Sequence, residues 1–147
     1  MSLWDWTLSA YAQPGVPEAC LTLQDDYGQN TSLLLWAVWA ETADPALLAR
    51  AADVARRWDD LALTPVRQVR RALKPAFAGV ADKAREALRE DVKAVELHAE
   101  RVLMESLAGL AEHKGGAHAL AALEAVSQAW GRPAPADALD ALAAALG

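Results

Sequence analysis

The chain of 147 residues is 54% hydrophobic, carries a net charge of −6 and contains a single cysteine, Cys20. A chain of this length fits one domain with a sizeable core, and its apolar content excludes a disordered protein. One cysteine excludes an intramolecular disulfide and a zinc site built from cysteines.

Charge is distributed unevenly along the chain. Residues 1–49 hold six acidic residues and no Lys or Arg, whereas residues 50–93 hold eleven of the 14 basic residues against seven acidic ones. The middle third is therefore basic in an otherwise acidic protein. Such asymmetry either steers a charged partner or reflects matching of charges between helices of the same molecule.

The N-terminal region is predicted to form two helices. Ser2 is placed to cap the first, with Asp5 three residues later, and Pro14-Gly15 ends it. The second begins near Pro17 and ends at Gly28, a favourable residue at a helix C-terminus. The first residues lack the basic start and apolar run of a signal peptide, so we expect a cytoplasmic protein that does not enter a membrane.

The segment from Leu33 to Ala40 is apolar without interruption. A helix that is apolar on every side is buried, and this one is far shorter than the about 20 residues that span a membrane. We therefore expect a central core helix in which Trp36 and Trp39 supply much of the packing.

Two later helices start with the same signal, a capping residue followed by proline. These are Asp44-Pro45 and Thr64-Pro65, and the second opens a short helix that ends near Lys74-Pro75. Asp59-Asp60, between these two starts, is most simply interpreted as a solvated helix end.

The longest predicted helix runs over residues 80–113. Its apolar residues follow a spacing of four and three that is close to a heptad seam, which makes homodimerisation through this helix one alternative. The seam consists of Leu88, Val92, Val95, Ala99, Val102 and Ser106. An alanine-rich helical tail over residues 117–147 follows. The whole chain, 1–147, is thus predicted to be a single all-α domain, a compact bundle of about seven helices.

No established catalytic or metal-binding pattern appears in the sequence. His98, His113 and His118 belong to no HExxH or ExxH pair, and no glycine-rich phosphate loop is present. Cys20 lies on an apolar helix face, where a free cysteine behaves as a small hydrophobe. We name no catalytic residue, metal ligand or cofactor, and a non-enzymatic protein is favoured while enzymatic activity stays open.

The most distinct surface feature is a basic helix face formed by Arg67, Arg70, Arg71 and Lys74. Their spacing puts four cations on one side of a helix without an acidic neighbour, and like charges so arranged repel one another. Either acidic helices of the same protein and solvent compensate them, or the face docks an acidic partner. Nucleic acid is a less favoured partner than an acidic protein, because binding to nucleic acid usually requires a larger positively charged surface.

A polar loop provides an alternative site. Gln24, Asp25, Asp26 and Asn30 lie near a helix junction. Helix capping and loop hydrogen bonds explain them more simply than a ligand does, but with six tryptophans in the chain they also suit a Trp-lined small-molecule pocket.

Several segments together resemble an uncharacterised family of small bacterial proteins classed as a domain of unknown function. They include a Trp-rich N-terminal helix and a basic helix of the type VRRALK. The segments are Leu3-Trp4, Tyr11-Ala12, Pro14-Gly15-Val16, Cys20-Leu21, Leu23-Gln24-Asp25, Gly28, Leu33-Leu34-Leu35 with Trp39, Val69 to Lys74, and Glu96 to Arg101. Ser32 and His98 depart from the family pattern, where Asn and Glu are expected. The resemblance covers residues 3–105. It implies a shared helical fold and leaves the function open.

These observations lead to one functional hypothesis and one rival. The leading hypothesis is a non-enzymatic interaction module that docks an acidic protein through the basic helix face. The rival is a small-molecule-binding protein or enzyme that uses a Trp-lined pocket and the polar loop.

Overall fold

The computed structural model describes all 147 residues, and they form an all-α bundle without a strand. The helices are α1 (Leu3–Tyr11), α2 (Val16–Tyr27), α3 (Thr31–Trp39), α4 (Pro45–Trp58), α5 (Thr64–Ala72), α6 (Asp82–Ala108), α7 (Ala119–Trp130) and α8 (Ala136–Leu146). A π-helical turn, Asp59–Leu63, joins α4 to α5 without a break. The chain therefore has seven continuous helical segments, which confirms the predicted all-α bundle.

Helix α3 is the centre of the molecule, as its sequence predicts. Every residue from Ser32 to Ala37 is buried, and the helix packs against α1, α2, α4, α6 and α7. Asn30 starts the helix by accepting a hydrogen bond from the Leu33 amide at 3.0 Å. Trp36 is fully buried, whereas Trp39 is only partly covered and contributes less to the core than expected. None of the helices combines the length and apolarity needed to cross a membrane.

Helix α5 begins at Thr64 with Pro65 in its first turn, as predicted, but Thr64 does not cap it and no break precedes it. The helix that begins at Pro45 runs into α5 through the π-helical turn. Thr64 donates its amide hydrogen to the Asp59 carbonyl, five residues back, in the π-helical turn. Proline lacks an amide hydrogen, and its ring clashes with the carbonyl four residues back in a regular helix. The wider turn immediately before Pro65 offers room for this ring.

Helix α6 is shorter than predicted and ends at Ala108 rather than near His113. Gly109 follows as the capping residue, and the next residues turn so that the Gly115 amide bonds to the Ala40 carbonyl at 2.9 Å. The predicted seam does not form a buried stripe within the molecule. Leu88 and Val95 are more than half exposed, because the core covers only the C-terminal half of α6.

Helix α5 contributes no fully buried residue. It lies against α6 and the π-helical turn, at the margin of the core. Apolar burial therefore explains its position only in part, and charged side chains supply the rest.

Candidate functional site

Two of the four predicted docking residues are paired inside the molecule. Arg67 Nε lies 3.2 Å from Glu96 Oε1, and its Nη2 lies 3.4 Å from Glu100 Oε1. Arg70 Nε lies 3.2 Å from the other oxygen of Glu96. The Glu96 side chain is only 12% exposed and sits between the two arginines. Arg67 and Arg70 of α5 are therefore compensated by acidic residues of α6, which is the first of the two interpretations of the basic face.

The Arg67 pairs are hydrogen-bonded, whereas the Arg70 pair is a charge contact without hydrogen-bond alignment. Burial raises the pKa of Glu100 above its usual value, and the nearby Arg67 guanidinium opposes that shift. The carboxylate is therefore held in a partly desolvated site where a cation offsets the cost of its charge.

Arg71 and Lys74 differ from Arg67 and Arg70. Lys74 lies two residues beyond the end of α5, so the helix presents only three of the four predicted cations. Arg71 and Lys74 are both exposed, and neither forms an ion pair within 4.0 Å. Arg71 lines a cleft, whereas Lys74 lies outside it, beside Glu86 and Glu90 of α6.

That cleft has a volume of about 480 Å³ and opens between the end of α2, the π-helical turn and α5. Its lining contains no hydrophobic residue and carries both charge signs. The lining residues are Gln24, Asp25, Gly28, Gln29, Asp59, Thr64, Arg67 and Arg71. It therefore combines residues from the predicted basic face with residues from the predicted polar loop, which the sequence placed in rival hypotheses.

Only half of the predicted polar loop reaches the cleft. Gln24 and Asp25 line it, while the exposed Asp26 does not. Asn30 is buried and has a structural role. Besides capping α3, its Nδ2 donates to Asp59 Oδ1 at 3.1 Å.

Asp59 is a cleft residue that the sequence analysis assigned wrongly to a solvated helix end. It is half-buried because the chain continues into α5 instead of ending in solvent. Burial raises the pKa of Asp59, while the Asn30 hydrogen bond and the charge of Arg67 oppose the shift. The carboxylate is thus poorly solvated and has one oxygen, Oδ2, without a protein donor.

Gln29 forms the rigid inner side of the cleft. Its Nε2 donates to the Tyr27 and Arg132 carbonyls at 3.1 and 2.6 Å, and its Oε1 accepts from Ser127 Oγ at 3.1 Å. Gly28 beside it has φ of 62°, a left-handed conformation that favours glycine. The inner side therefore depends on residues of the C-terminal tail as well as on α2.

Residues 2–107 match the model of a family described as a protein of unknown function, DUF2390. The chain belongs to this family. The predicted resemblance to an uncharacterised family is thereby confirmed. No curated protein and no solved structure matches the chain. Every residue that lines the cleft lies within the part matched to DUF2390, whereas α7 and α8 lie outside it.

The tryptophans do not line this cleft of the DUF2390 chain. Trp58 borders a separate groove of about 240 Å³ between α4 and α6, and its Nε1 donates to the Ala99 carbonyl at 2.9 Å. Trp6 and Trp39 border another groove, of about 380 Å³. Cys20 is buried as predicted, and burial raises the pKa of its thiol to about 11, so the thiol is protonated at neutral pH.

Sequence reasoning missed Asp59, Thr64 and Glu96 as parts of the site. The spacing of Glu96 and Glu100, one helical turn apart, does complement Arg67 and Arg70 and is the one signal that was available. Nothing in the spacing identifies α6 as the helix beside α5, so this signal alone does not locate the site.

Proposed function

We propose that this protein binds a small polar ligand carrying a carboxylate or phosphate in the cleft between α2, the π-helical turn and α5. One observation carries the proposal. Arg71 lines a polar cleft of about 480 Å³ and forms no ion pair within 4.0 Å with a protein carboxylate. Guanidinium binds carboxylate and phosphate through paired hydrogen bonds, and the cleft volume suits a small ligand.

A small ligand is favoured over a docked macromolecule because two of the four cations of the predicted basic face are already neutralised. Glu96 and Glu100 engage Arg67 and Arg70, so two cations are left for an external partner. Arg71 lines the cleft and Lys74 lies outside it. A concave polar site with one available guanidinium suits recognition of a single anionic group.

Binding is favoured over catalysis because the lining offers few groups that act as nucleophile or base. No histidine, cysteine or serine lines the cleft. Asp59 is the lining carboxyl whose pKa burial raises, and Thr64 supplies the one hydroxyl of the lining. The side chain of Asp59 bonds to Asn30 and not to this hydroxyl, so the two do not form a base and nucleophile pair.

The test compares Arg71→Gln with Lys74→Gln, which removes the same charge three residues further along the chain and outside the cleft. Wild type and both variants are titrated by calorimetry with inorganic phosphate, succinate and L-glutamate. We expect at least one of these to bind wild type, and Arg71→Gln to weaken that binding at least about tenfold, the effect of losing a charge-assisted hydrogen bond. Lys74→Gln should bind as wild type does. Equal losses in both variants, or no binding to wild type, would contradict the proposal.

Docking of an acidic protein is the second candidate, because Arg71 and Lys74 are both exposed and without ion pairs. In that case both substitutions weaken capture of a partner to a similar extent, and added salt weakens it further. Nucleic acid is disfavoured, since two available cations release few counterions.

A further inference from the structure

The charges that the cleft leaves available are of both signs. Arg71 has no ion pair, and neither does Asp25 or Asp59. Arg67, the other cation of the lining, is already held by Glu96 and Glu100. An incoming ligand therefore meets one available guanidinium and two available carboxylates.

A purely anionic ligand fits this arrangement poorly. An anion on Arg71 shares the cleft with Asp25 and Asp59, and the like charges repel it. A positive group on the same ligand turns that repulsion into attraction. It also supplies Asp59 Oδ2 with the donor that the protein does not provide, because Asn30 bonds only to Oδ1.

The lining further limits the rest of the ligand. No hydrophobic residue borders the cleft, so an apolar side chain gains nothing by binding there. Gln24 and Thr64 supply an amide and a hydroxyl, neither of which bonds to another side chain. These groups suit a ligand whose remaining atoms are polar.

From this juxtaposition we infer that the ligand is a zwitterion of the polar α-amino acid class. Its carboxylate lies on Arg71 and its ammonium group on Asp25 and Asp59. The inference rests on the proposed function and adds the requirement for an ammonium group.

Calorimetric titration with three sets of probes tests this requirement. The sets are polar L-amino acids, their N-acetyl derivatives, which lack the ammonium group, and the corresponding primary amines, which lack the carboxylate. We expect an L-amino acid to bind wild type and both modified sets to bind at least about tenfold more weakly. Asp25→Asn should weaken the amino acid to a similar degree. Asp26→Asn, the same change one residue further on and outside the cleft, should not.

Both aspartates of this comparison are exposed, so neither substitution threatens the fold. N-acetyl derivatives that bind as tightly as amino acids, with the binding lost in Arg71→Gln, would overturn the zwitterion inference and leave the proposed function intact. Failure of all three sets and of inorganic phosphate and succinate to bind wild type would overturn both. Equal weakening by Asp25→Asn and Asp26→Asn would also overturn the inference.

Discussion

Glu96 joins two arginines of α5 through its two carboxylate oxygens. The side chain is 12% exposed, so the charge is removed from most of the solvent that otherwise stabilises it. Such a group destabilises a fold unless cations replace the solvent, and here Arg67 and Arg70 both do so. The electrostatic link between α5 and α6 thus depends strongly on this one residue.

Replacing this carboxylate leaves the arginines without their shared partner. We expect Glu96→Gln to lower the free energy of unfolding by about 3 kcal/mol, since two partly buried guanidinium groups lose their counter-charge. Denaturant unfolding measures the change. Glu90→Gln is the matched control, because Glu90 forms an exposed pair with Lys93, and it should cost no more than about 0.5 kcal/mol. Equal costs for the two variants would show that α5 does not depend on the buried pair.

Asp59 makes stability depend on pH in the opposite direction from an ordinary ion-paired carboxylate. Burial raises the pKa of Asp59 in the folded state above the usual 3.8, so the folded state holds this proton more tightly than the unfolded state does. The contribution of Asp59 to the free energy of unfolding therefore increases as pH falls through the folded-state pKa towards 3.8.

Asp59→Asn should remove this contribution. The free energy of unfolding of wild type minus that of Asp59→Asn should increase as the pH is lowered from 7 to 4. Denaturant titrations at several pH values measure it, with Asp60→Asn, an exposed neighbour, as the control. A difference that is flat over this range, or one that Asp60→Asn reproduces, would contradict the assigned environment of Asp59.

Among the helices, α3 and α5 are held in the molecule by different forces. Helix α3 is apolar around its circumference and is held by packing on five other helices. Helix α5 has no fully buried residue and is attached by charges at one edge of the bundle. The cleft lies beside α5, so its shape depends on the more weakly held element.

A truncation in each environment separates these forces. Leu35→Ala should lower the free energy of unfolding by about 3 kcal/mol, because Leu35 is fully buried in α3 and its removal leaves a cavity. Leu88→Ala removes the same atoms from an exposed position on α6 and should change stability by no more than about 0.5 kcal/mol. A large loss for Leu88→Ala in dilute solution would mean that this face is covered by another copy of the chain.

For the whole molecule, the part matched to the family is not the complete core. Helix α7 packs on α3 and α4, and α8 packs on α2 and α7. Together they bury Leu123, Val126, Leu139 and Leu142, although residues 108–147 lie beyond the matched part. The tail also holds Gln29, through Ser127 and the Arg132 carbonyl.

A fragment of residues 1–108 should therefore not form a native core. Removal of α7 and α8 exposes the apolar surfaces of α2, α3 and α4, so we expect loss of the near-ultraviolet circular dichroism signal and of cooperative thermal unfolding. Far-ultraviolet measurements on the same sample report how much helix is left. A single cooperative transition at the midpoint of the full chain would show that the tail is dispensable.

The helical architecture follows from the amino-acid sequence, because the features responsible for it are local. Apolar periodicity, the capping residues Ser2, Asn30 and Asp44, and the unbroken apolar run of α3 act within one or two turns of the chain. They indicated the all-α fold, the central helix and most helix boundaries. At Thr64-Pro65 the boundary lies where it was predicted, but a π-helical turn joins the two helices there without the break that was expected.

The pairing of charges, in contrast, follows from the packing of the helices. Arg67 and Glu96 are 29 residues apart, and Asn30 and Asp59 are equally distant. Local patterns carry no information on pairing over such separations, since it depends on which helix faces pack together. For this reason the sequence placed Arg71 and Asp25 in rival hypotheses, while the fold brings both into one polar cleft.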